Sequence, residues 1–213
     1  MGKIVYSVSM SLDGYVAGPN QSIEHPLGVG GEKLHAWMRE LSAWREAAGL
    51  EGGEVNASSE FVEDDPEGAC IMGRNMFGGG PGPWGDNPWT GWWGSNPPFH
   101  IPVFVLTHHP RPVLELDGGN RFTFVTEGIH HALDAAREAA GDRDVAICGG
   151  GQTAAQYLAA GLVDEVQIHL VPVLLGKGVR LFDFVPKAPI KLRQVQAVAA
   201  PGVTHLRYVV EHA

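Results

Sequence analysis

The chain reads as an α/β protein with a largely parallel sheet, an antiparallel C-terminal edge and helices on both faces. Three observations predict this. Short apolar runs of strand length alternate with segments at helical spacing. Several of those runs, such as Ala69-Cys70-Ile71-Met72 and Val145-Ala146-Ile147-Cys148, are apolar throughout, as strands buried on both faces are. Two final β-rich runs, Ile190 to Val198 and Val203 to Val210, follow each other with only a turn between them, which suits an antiparallel edge.

From the N-terminus, Ile4, Tyr6, Val8 and Met10 alternate with smaller or polar residues, so Lys3 to Ser11 is expected as a strand that stops at the Asp13-Gly14 turn. Leu34, Trp37, Met38, Leu41 and Trp44 form an apolar stripe, which predicts one helix from Glu32 to Ala48. Residues 49 to 67 are acidic and glycine-containing and read as an exposed excursion; Ala69 to Met72 is a buried strand, with a helical turn after Gly73. Gly78 to Pro98 is too rich in glycine and proline for regular structure, yet it holds Trp84, Trp89, Trp92 and Trp93. Further strands are expected at Val103 to Leu106, Phe122 to Val125, Val145 to Cys148 and Glu165 to Val171, and helices at Ile129 to Ala140 and Thr153 to Ala160. No internal repeat or linker is visible, so residues 1 to 213 are expected to be one domain.

Composition narrows the function classes. With 213 residues, 44% of them hydrophobic and 18% charged, the chain can bury roughly 70% of its unfolded surface, which excludes wholesale disorder. The net charge of −9, with scattered Lys and Arg, leaves no footprint for nucleic acid or an anionic membrane. No apolar run reaches the roughly 20 residues of a membrane span, and the N-terminus lacks a cleavable leader, so a cytoplasmic protein is expected. Cys70 and Cys148 each border a buried run and read as free core thiols, a lone disulfide having no cysteine framework behind it. Metal binding is not expected, because His108 and His109 are adjacent on an extended segment and point to opposite sides.

Gly149-Gly150-Gly151 stands between an apolar strand and a helix. A helix N-terminus offers free N–H groups and a positive dipole end, and glycine lets a ligand approach the main chain closely, so the cluster suits a pyrophosphate. One glycine would serve a structural turn, whereas three cost about 1 kcal/mol each relative to alanine. Gly149, Gly151 and Ala154 also match a dinucleotide fingerprint, but a Rossmann domain carries it after its first strand, and here it comes late.

Ser11-Leu12-Asp13-Gly14, Met72-Gly73-Arg74, Gly149-Gly150-Gly151, Leu162-Val163-Asp164-Glu165 and Pro172 to Gly178 together resemble the dihydrofolate reductase-like superfamily. The branch typified by the C-terminal reductase domain of the riboflavin-pathway deaminase-reductase is the most similar. The resemblance implies a mostly parallel sheet, bound NADPH, a small-molecule substrate and a homodimer. It implies that Gly73, Arg74 and the adjacent Asn75 lie at a helix start where the basic side chain reaches the 2′-phosphate, with Thr107 and His108 as a second contact. It further implies that Gly149, Gly150, Gly151, Gln152 and Thr153 hold the pyrophosphate, and that Ser9, Val16 and Ala17 line the nicotinamide pocket. A guanidinium–phosphate pair contributes roughly 1.5–3 kcal/mol, about a ten- to hundred-and-fifty-fold preference for NADPH over NADH.

The expected activity is NADPH-dependent reduction of a small heterocycle, either pterin- or dihydrofolate-like or resembling 5-amino-6-ribosylaminouracil. The alternative is a nucleotide-binding protein that keeps the fold without catalysis. Ser7 and Cys148 stand where the riboflavin-pathway reductases carry a lysine and a glutamate, which favours a ring substrate without a phosphate tail. Asp13 is the candidate proton donor by position, although Asp-Gly is also a turn signal. Glu32 and Glu40 fall on the solvent side of the expected helix. Trp84 and Trp89 are expected to roof a planar substrate, to make a dimer contact or to pack within their own loop.

Overall fold

The computed structural model describes residues 2–22, 24–63, 67–185 and 189–212. Among them the strands are β1 (Ile4–Ser11), β2 (Tyr15–Ala17), β3 (Glu67–Gly73), β4 (Pro102–Leu106), β5 (Leu114–Glu115), β6 (Arg121–Val125), β7 (Asp144–Gly149), β8 (Glu165–Val171), β9 (Val179–Arg180), β10 (Lys191–Ala200) and β11 (Val203–Glu211). The α-helices are α1 (Ala36–Arg39), α2 (Ser42–Ala47), α3 (Glu60–Glu63), α4 (Arg74–Phe77), α5 (Ile129–Ala140) and α6 (Gly151–Ala159), with short 3-10 turns at Gly31–His35, Asp117–Gly119 and Phe182–Phe184. No helix of the described residues is long and apolar enough to cross a membrane.

The chain forms two compact units, one from 1–6 and 66–164, the other from 7–65 and 165–213. In the first unit the strand order is β1-β7-β3-β4-β6-β5. Pairing is parallel from β1 through β6, and only the short β5 runs antiparallel. Residues 68–73 of β3 are all buried, as a central parallel strand requires. α5 and α6 pack on β3 and β7, α5 burying the small-residue stripe of Ala132, Leu133, Ala136 and Ala140. In the second unit the order is β10-β11-β8-β1, with β10, β11 and β8 antiparallel, beside a small β2-β9 ribbon. The expected α/β class and its antiparallel C-terminal edge are both present.

The single helix expected from Glu32 to Ala48 is instead broken. Leu41 is extended (φ −74°, ψ 140°) because the backbone around it pairs with Glu54: Glu54 N donates to Glu40 O at 2.7 Å and Ser42 N to Glu54 O at 2.9 Å. A long-range bridge thus replaces the helical bonds of one turn, while Leu34, Trp37 and Leu41 still reach the unit's core with Val171 and Val203. The excursion at 49–67 is not wholly exposed, since Ser58 and Ser59 are buried and α3 lies in it; residues 64–66 fall outside the described ones. Cys70 and Cys148, expected as free thiols, are joined in a disulfide across β3 and β7, with Cα atoms 6.4 Å apart. They lie near the point where the β3–β7 register shifts, after Ile71 pairs with Ile147 and before Met72 pairs with Gly149.

Gly78 to Pro98 carries no helix or strand, and its tryptophans hold it down. Trp84, Trp89 and Trp93 pack on the first unit's core around Phe77 and Phe122. Trp89 Nε1 donates to Phe77 O at 2.9 Å, and Trp92 Nε1 to Met76 O at 2.9 Å. Phe77 is fully buried, with ring centroids of Trp84, Phe122 and Phe124 within 5.8 Å. Phe77→Ala is expected to lower the free energy of unfolding by about 3–5 kcal/mol in urea titrations. A loss under about 1 kcal/mol would show that the aromatic loop does not depend on this ring.

Candidate functional site

In the first unit three parallel strands end side by side. Gly73 pairs with Leu106 across β3–β4, and Met72 pairs with Gly149 across β3–β7. The residues that follow, Arg74, Thr107 and Gly150, therefore leave the sheet at one edge. Ligands of open α/β sheets bind outside such carboxyl ends. A Cβ on Gly73 would collide with Thr153 Oγ1, so the Thr153 hydroxyl fills the space beside Gly73 where β3 meets the start of α6.

The glycine turn itself has φ 129° at Gly149, a conformation that favours glycine, and a cis peptide to Gly150. Gly150 has an ordinary φ of −86°, and a Cβ there would meet nothing within 4 Å. Neither backbone nor packing demands glycine at 150, so its bareness leaves open surface beside the main chain. Gly150 caps α6 without a side-chain hydrogen bond. The first N–H groups of α6, from Gly151, Gln152 and Thr153, have no intrahelical acceptors and carry the positive end of the helix dipole. Gly151 and Thr153 are buried and Gln152 is exposed. This edge fits a pyrophosphate by its donors and by its open surface.

Arg74 is half-buried. Its Nε donates to Gly78 O at 3.0 Å and its Nη2 to Gly79 O at 3.2 Å, while Nη1 is buried without a partner. Its guanidinium carbon lies 3.0 Å from the Trp84 ring centroid, and that of Arg111 lies 4.6 Å from the same ring. Burial first, and then the like charge of Arg111, lowers the Arg74 pKa. Two cations around one indole would be relieved by an anion, which suits a phosphate with a doubly negative charge. Arg111, held by a 2.6 Å bond from Nη1 to Trp89 O, was not among the sequence candidates. Its setting between Pro110 and Pro112 reads only as loop, and its partners come from distant segments.

Thr107 is buried, and its hydroxyl accepts from His109 N at 3.2 Å; His108 and Asn75 are exposed. Trp84 does not present a bare ring for stacking, because the two guanidiniums occupy it and its Nε1 donates to His109 O at 2.8 Å. With Pro83, Pro88 and Arg111 it lines a hollow of about 530 Å³. Trp89 packs with Trp92, their centroids 4.7 Å apart. Both rings pack within the loop and on the first unit's core.

The other candidates sit in the second unit. Ser9 is buried and accepts from Trp37 Nε1 at 3.3 Å. Val16 and Ala17 lie on β2, where the Ala17 carbonyl is so close to Gly178 that a Cβ there would overlap it. Asp13 accepts from Ser11 Oγ at 2.6 Å, Leu175 N at 3.1 Å and Gly176 N at 2.7 Å. The Ser11 hydroxyl, followed by the two backbone donors, holds its carboxyl below the usual range. An ionised carboxylate held by these three bonds clasps the 172–178 turn and has no proton to give at neutral pH. Glu32 and Glu40 are exposed.

Sequence reasoning also missed a histidine cluster in this unit. His169 and His205 face each other across β8 and β11, Nδ1 to Nδ1 at 2.7 Å. Burial, with the neighbouring His205 and His35 charges, pushes His169 down to about 3, and burial pushes His205 down to about 4. His35 is lowered to about 4 by burial and by Arg39. The signal available was inward alternation on strands, which marks a buried position but names no partner.

The family model of the RibD C-terminal domain matches residues 2–206. No curated protein sequence matches the chain. Among solved structures, a Shewanella sp. PV-4 protein assigned to riboflavin biosynthesis aligns at TM-score 0.61 and 21% identity, covering 99% of each chain. RibD of Acinetobacter baumannii aligns at TM-score 0.59 and 15% identity over all of this chain, which spans 59% of that one. Enterococcus faecalis dihydrofolate reductase, complexed with NADP(H), aligns at TM-score 0.52 and 11% identity, covering 99% of this chain and 98% of its own. At these identities the likeness establishes the fold, and the dihydrofolate reductase-like architecture is shared.

Two expectations follow from the geometry. Gly73→Ala must turn the Thr153 hydroxyl away at the start of α6, so the variant should fold yet lose about tenfold or more in affinity for a dinucleotide phosphate ligand in fluorescence titration. The histidines bind fewer protons folded than unfolded. Their stabilising contribution is thus complete above about pH 6.5 and lost as pH falls towards 4 to 3. The thermal midpoint should drop steadily across that window, and a pH-independent midpoint from 7 to 4 would contradict the buried neutral state.

Proposed function

Because this chain belongs to the RibD C-terminal domain family, we propose that it is an NADPH-dependent reductase of a small heterocyclic compound, pterin- or dihydrofolate-like or resembling 5-amino-6-ribosylaminouracil. One observation carries this reading: Gly73-Arg74, Thr107 and Gly149 to Thr153 emerge abreast from three parallel strands, with open surface at Gly150 and uncompensated guanidinium charge at Arg74 and Arg111.

In this assignment the α6 N–H groups and the glycine turn hold the pyrophosphate, the Arg74 guanidinium reaches the 2′-phosphate, and Thr107 with His108 and Asn75 completes that end. Arg111 adds positive charge at the same place. Ser9, Val16 and Ala17 line the nicotinamide side. Bound NADPH supplies a hydride; the protein's part is to fix the phosphates, exclude water and provide a proton to the reduced atom. Ionised Asp13 positions the 172–178 turn in this scheme. Its engagement is also what favours the second reading, a nucleotide-binding protein without turnover. Reduction of any member of the proposed substrate class removes that reading.

Parallel titrations with NADPH and NADH, read by tryptophan quenching, test the assignment. NADPH is expected to bind about tenfold tighter or more, and Arg74→Ala to abolish the preference. If neither nucleotide binds, the reductase reading falls.

A further inference from the structure

Next to the edge where Arg74 and Thr107 leave the sheet, the first unit carries a hollow of about 530 Å³, within the roughly 300–1,000 Å³ of small-molecule sites. Its walls are the flat apolar rings of Pro83, Pro88, Pro110 and Pro112 with Trp84, and Arg111 supplies its charge. Among the described residues, no carboxylate lines it. Two contacts tie it to the sheet edge. The Trp84 ring lies over the Arg74 guanidinium at the start of α4, and residues 109–113 follow β4 closely, His109 N being held by Thr107 Oγ1 at 3.2 Å. The ends of β7 and β4 are two inter-strand spacings apart, about 10 Å, a span on the scale of one ribose phosphorylated at two positions.

The two guanidiniums around Trp84 are not equivalent. Arg74 spends Nε on Gly78 O at 3.0 Å and Nη2 on Gly79 O at 3.2 Å, and its Nη1 is buried. Its N–H groups hold the start of the tryptophan loop, and what it chiefly offers a ligand is charge. Arg111 spends Nη1 alone, on Trp89 O at 2.6 Å. Among the described residues its Nε and Nη2 have no hydrogen-bond partner, and neither is buried. That Nε–Nη2 edge is the fork that meets two phosphate oxygens at once. Burial lowers the pKa of Arg111, and burial followed by the Arg111 charge lowers that of Arg74, so an anion beside both removes a repulsion built into the fold.

We infer that Arg111, through its Nε–Nη2 edge, selects a nucleotide carrying a phosphate on the ribose 2′ position, and that the hollow beside Trp84 seats the adenine of the same nucleotide. This rests on the NADPH reading and names the residue and the surface that make it selective. The proline rings and Trp84 offer apolar surface to a flat purine, with a single charged group to orient it. A nucleotide without the 2′-phosphate leaves the Arg111 fork unmet, while its adenine still finds the hollow. Arg111 thus governs the choice between the two kinds of ribose, and the hollow governs affinity for both. Arg74 adds charge and fixes Trp84 from the other side. Trp84 Nε1, donating to His109 O at 2.8 Å, joins the loop wall of the hollow to the segment after β4.

Calorimetric titration of the full chain with adenosine 2′,5′-bisphosphate and adenosine 5′-phosphate tests both parts, and neither probe carries a nicotinamide. The bisphosphate should bind about tenfold tighter or more. Arg111→Gln should erase most of that ratio while leaving the monophosphate within about twofold, and Arg111→Lys, which keeps the charge without the fork, should fall between. A ratio unmoved by Arg111→Gln overturns Arg111 as the selector. Val113, 40% exposed, lines the hollow, and Val113→Trp fills it without removing a donor. That variant should weaken both nucleotides about tenfold with their ratio kept, and it stands in should Arg111→Gln disturb the loop at Trp89. Unchanged affinities in Val113→Trp overturn the hollow as the adenine seat. A wild type that holds neither nucleotide overturns both parts. NADPH titrated alongside keeps this site and the reductase reading apart. Selective binding of the bisphosphate without binding of NADPH sinks the reductase and leaves the site. NADPH that keeps its preference over NADH in Arg111→Gln leaves the reductase and sinks Arg111.

Discussion

The close approach of β3 to the first turn of α6 is the constraint on which the first unit's edge depends. Gly73 and the Thr153 hydroxyl occupy space that a single methyl group would contest. A methyl there would force the Thr153 hydroxyl to turn away, since only that side-chain oxygen lies closer than ordinary contact. The elements involved carry Arg74 at one end and the glycine turn at the other. Parallel register then locks β4 alongside, so Thr107 follows. Arg74, Thr107 and Gly150 owe their common location to two strand pairings.

The second unit obeys a different logic. Its core cluster of Leu34, Trp37, Leu41, Val171 and Val203 is apolar, yet next to Trp37 it encloses two imidazoles and a serine. Buried polar groups are tolerated when their partners are complete, and a half-satisfied network costs more than an apolar one. Here each nitrogen of His169 and His205 has a partner, and Trp37 and Phe61 pack against the rings. The break at Leu41 serves the same end, since the Glu54 bridge anchors the excursion that brings Ser58 inward.

Strand periodicity and the strand-turn-helix setting of Gly149 to Gly151 were readable because they are local. The sheet class, the limits of α5 and β8, and the irregular tryptophan loop all follow from residue spacing. What stayed hidden was made by contacts between distant segments. The helix through Leu41 scores well on stripe and propensity, and only the strand-like bridge to Glu54 breaks it. The two-residue strands β5 and β9 are too short to leave a period. Asp13 looks alike as turn residue or acid, and its bonds from Leu175 and Gly176 come from a segment far along the chain. Cys70 with Cys148, and His169 with His205, become pairs only when strand register is known.

The two units differ in when their parts leave the ribosome. Every residue of the first unit precedes Glu165, so it has its full complement while synthesis is still under way. The second unit receives residues 7–65 early and must wait for β8, β10 and β11. Trp37, Ser58 and Phe61 are therefore made long before the histidines they enclose, and the apolar stripe of Leu34 and Leu41 remains without its β8 and β11 partners in the meantime. Domains fold as units in order of emergence. The nascent chain thus passes through a stage with a complete first unit and an unfinished second one whose apolar stripe is uncovered, which is the interval in which a chaperone would find something to hold.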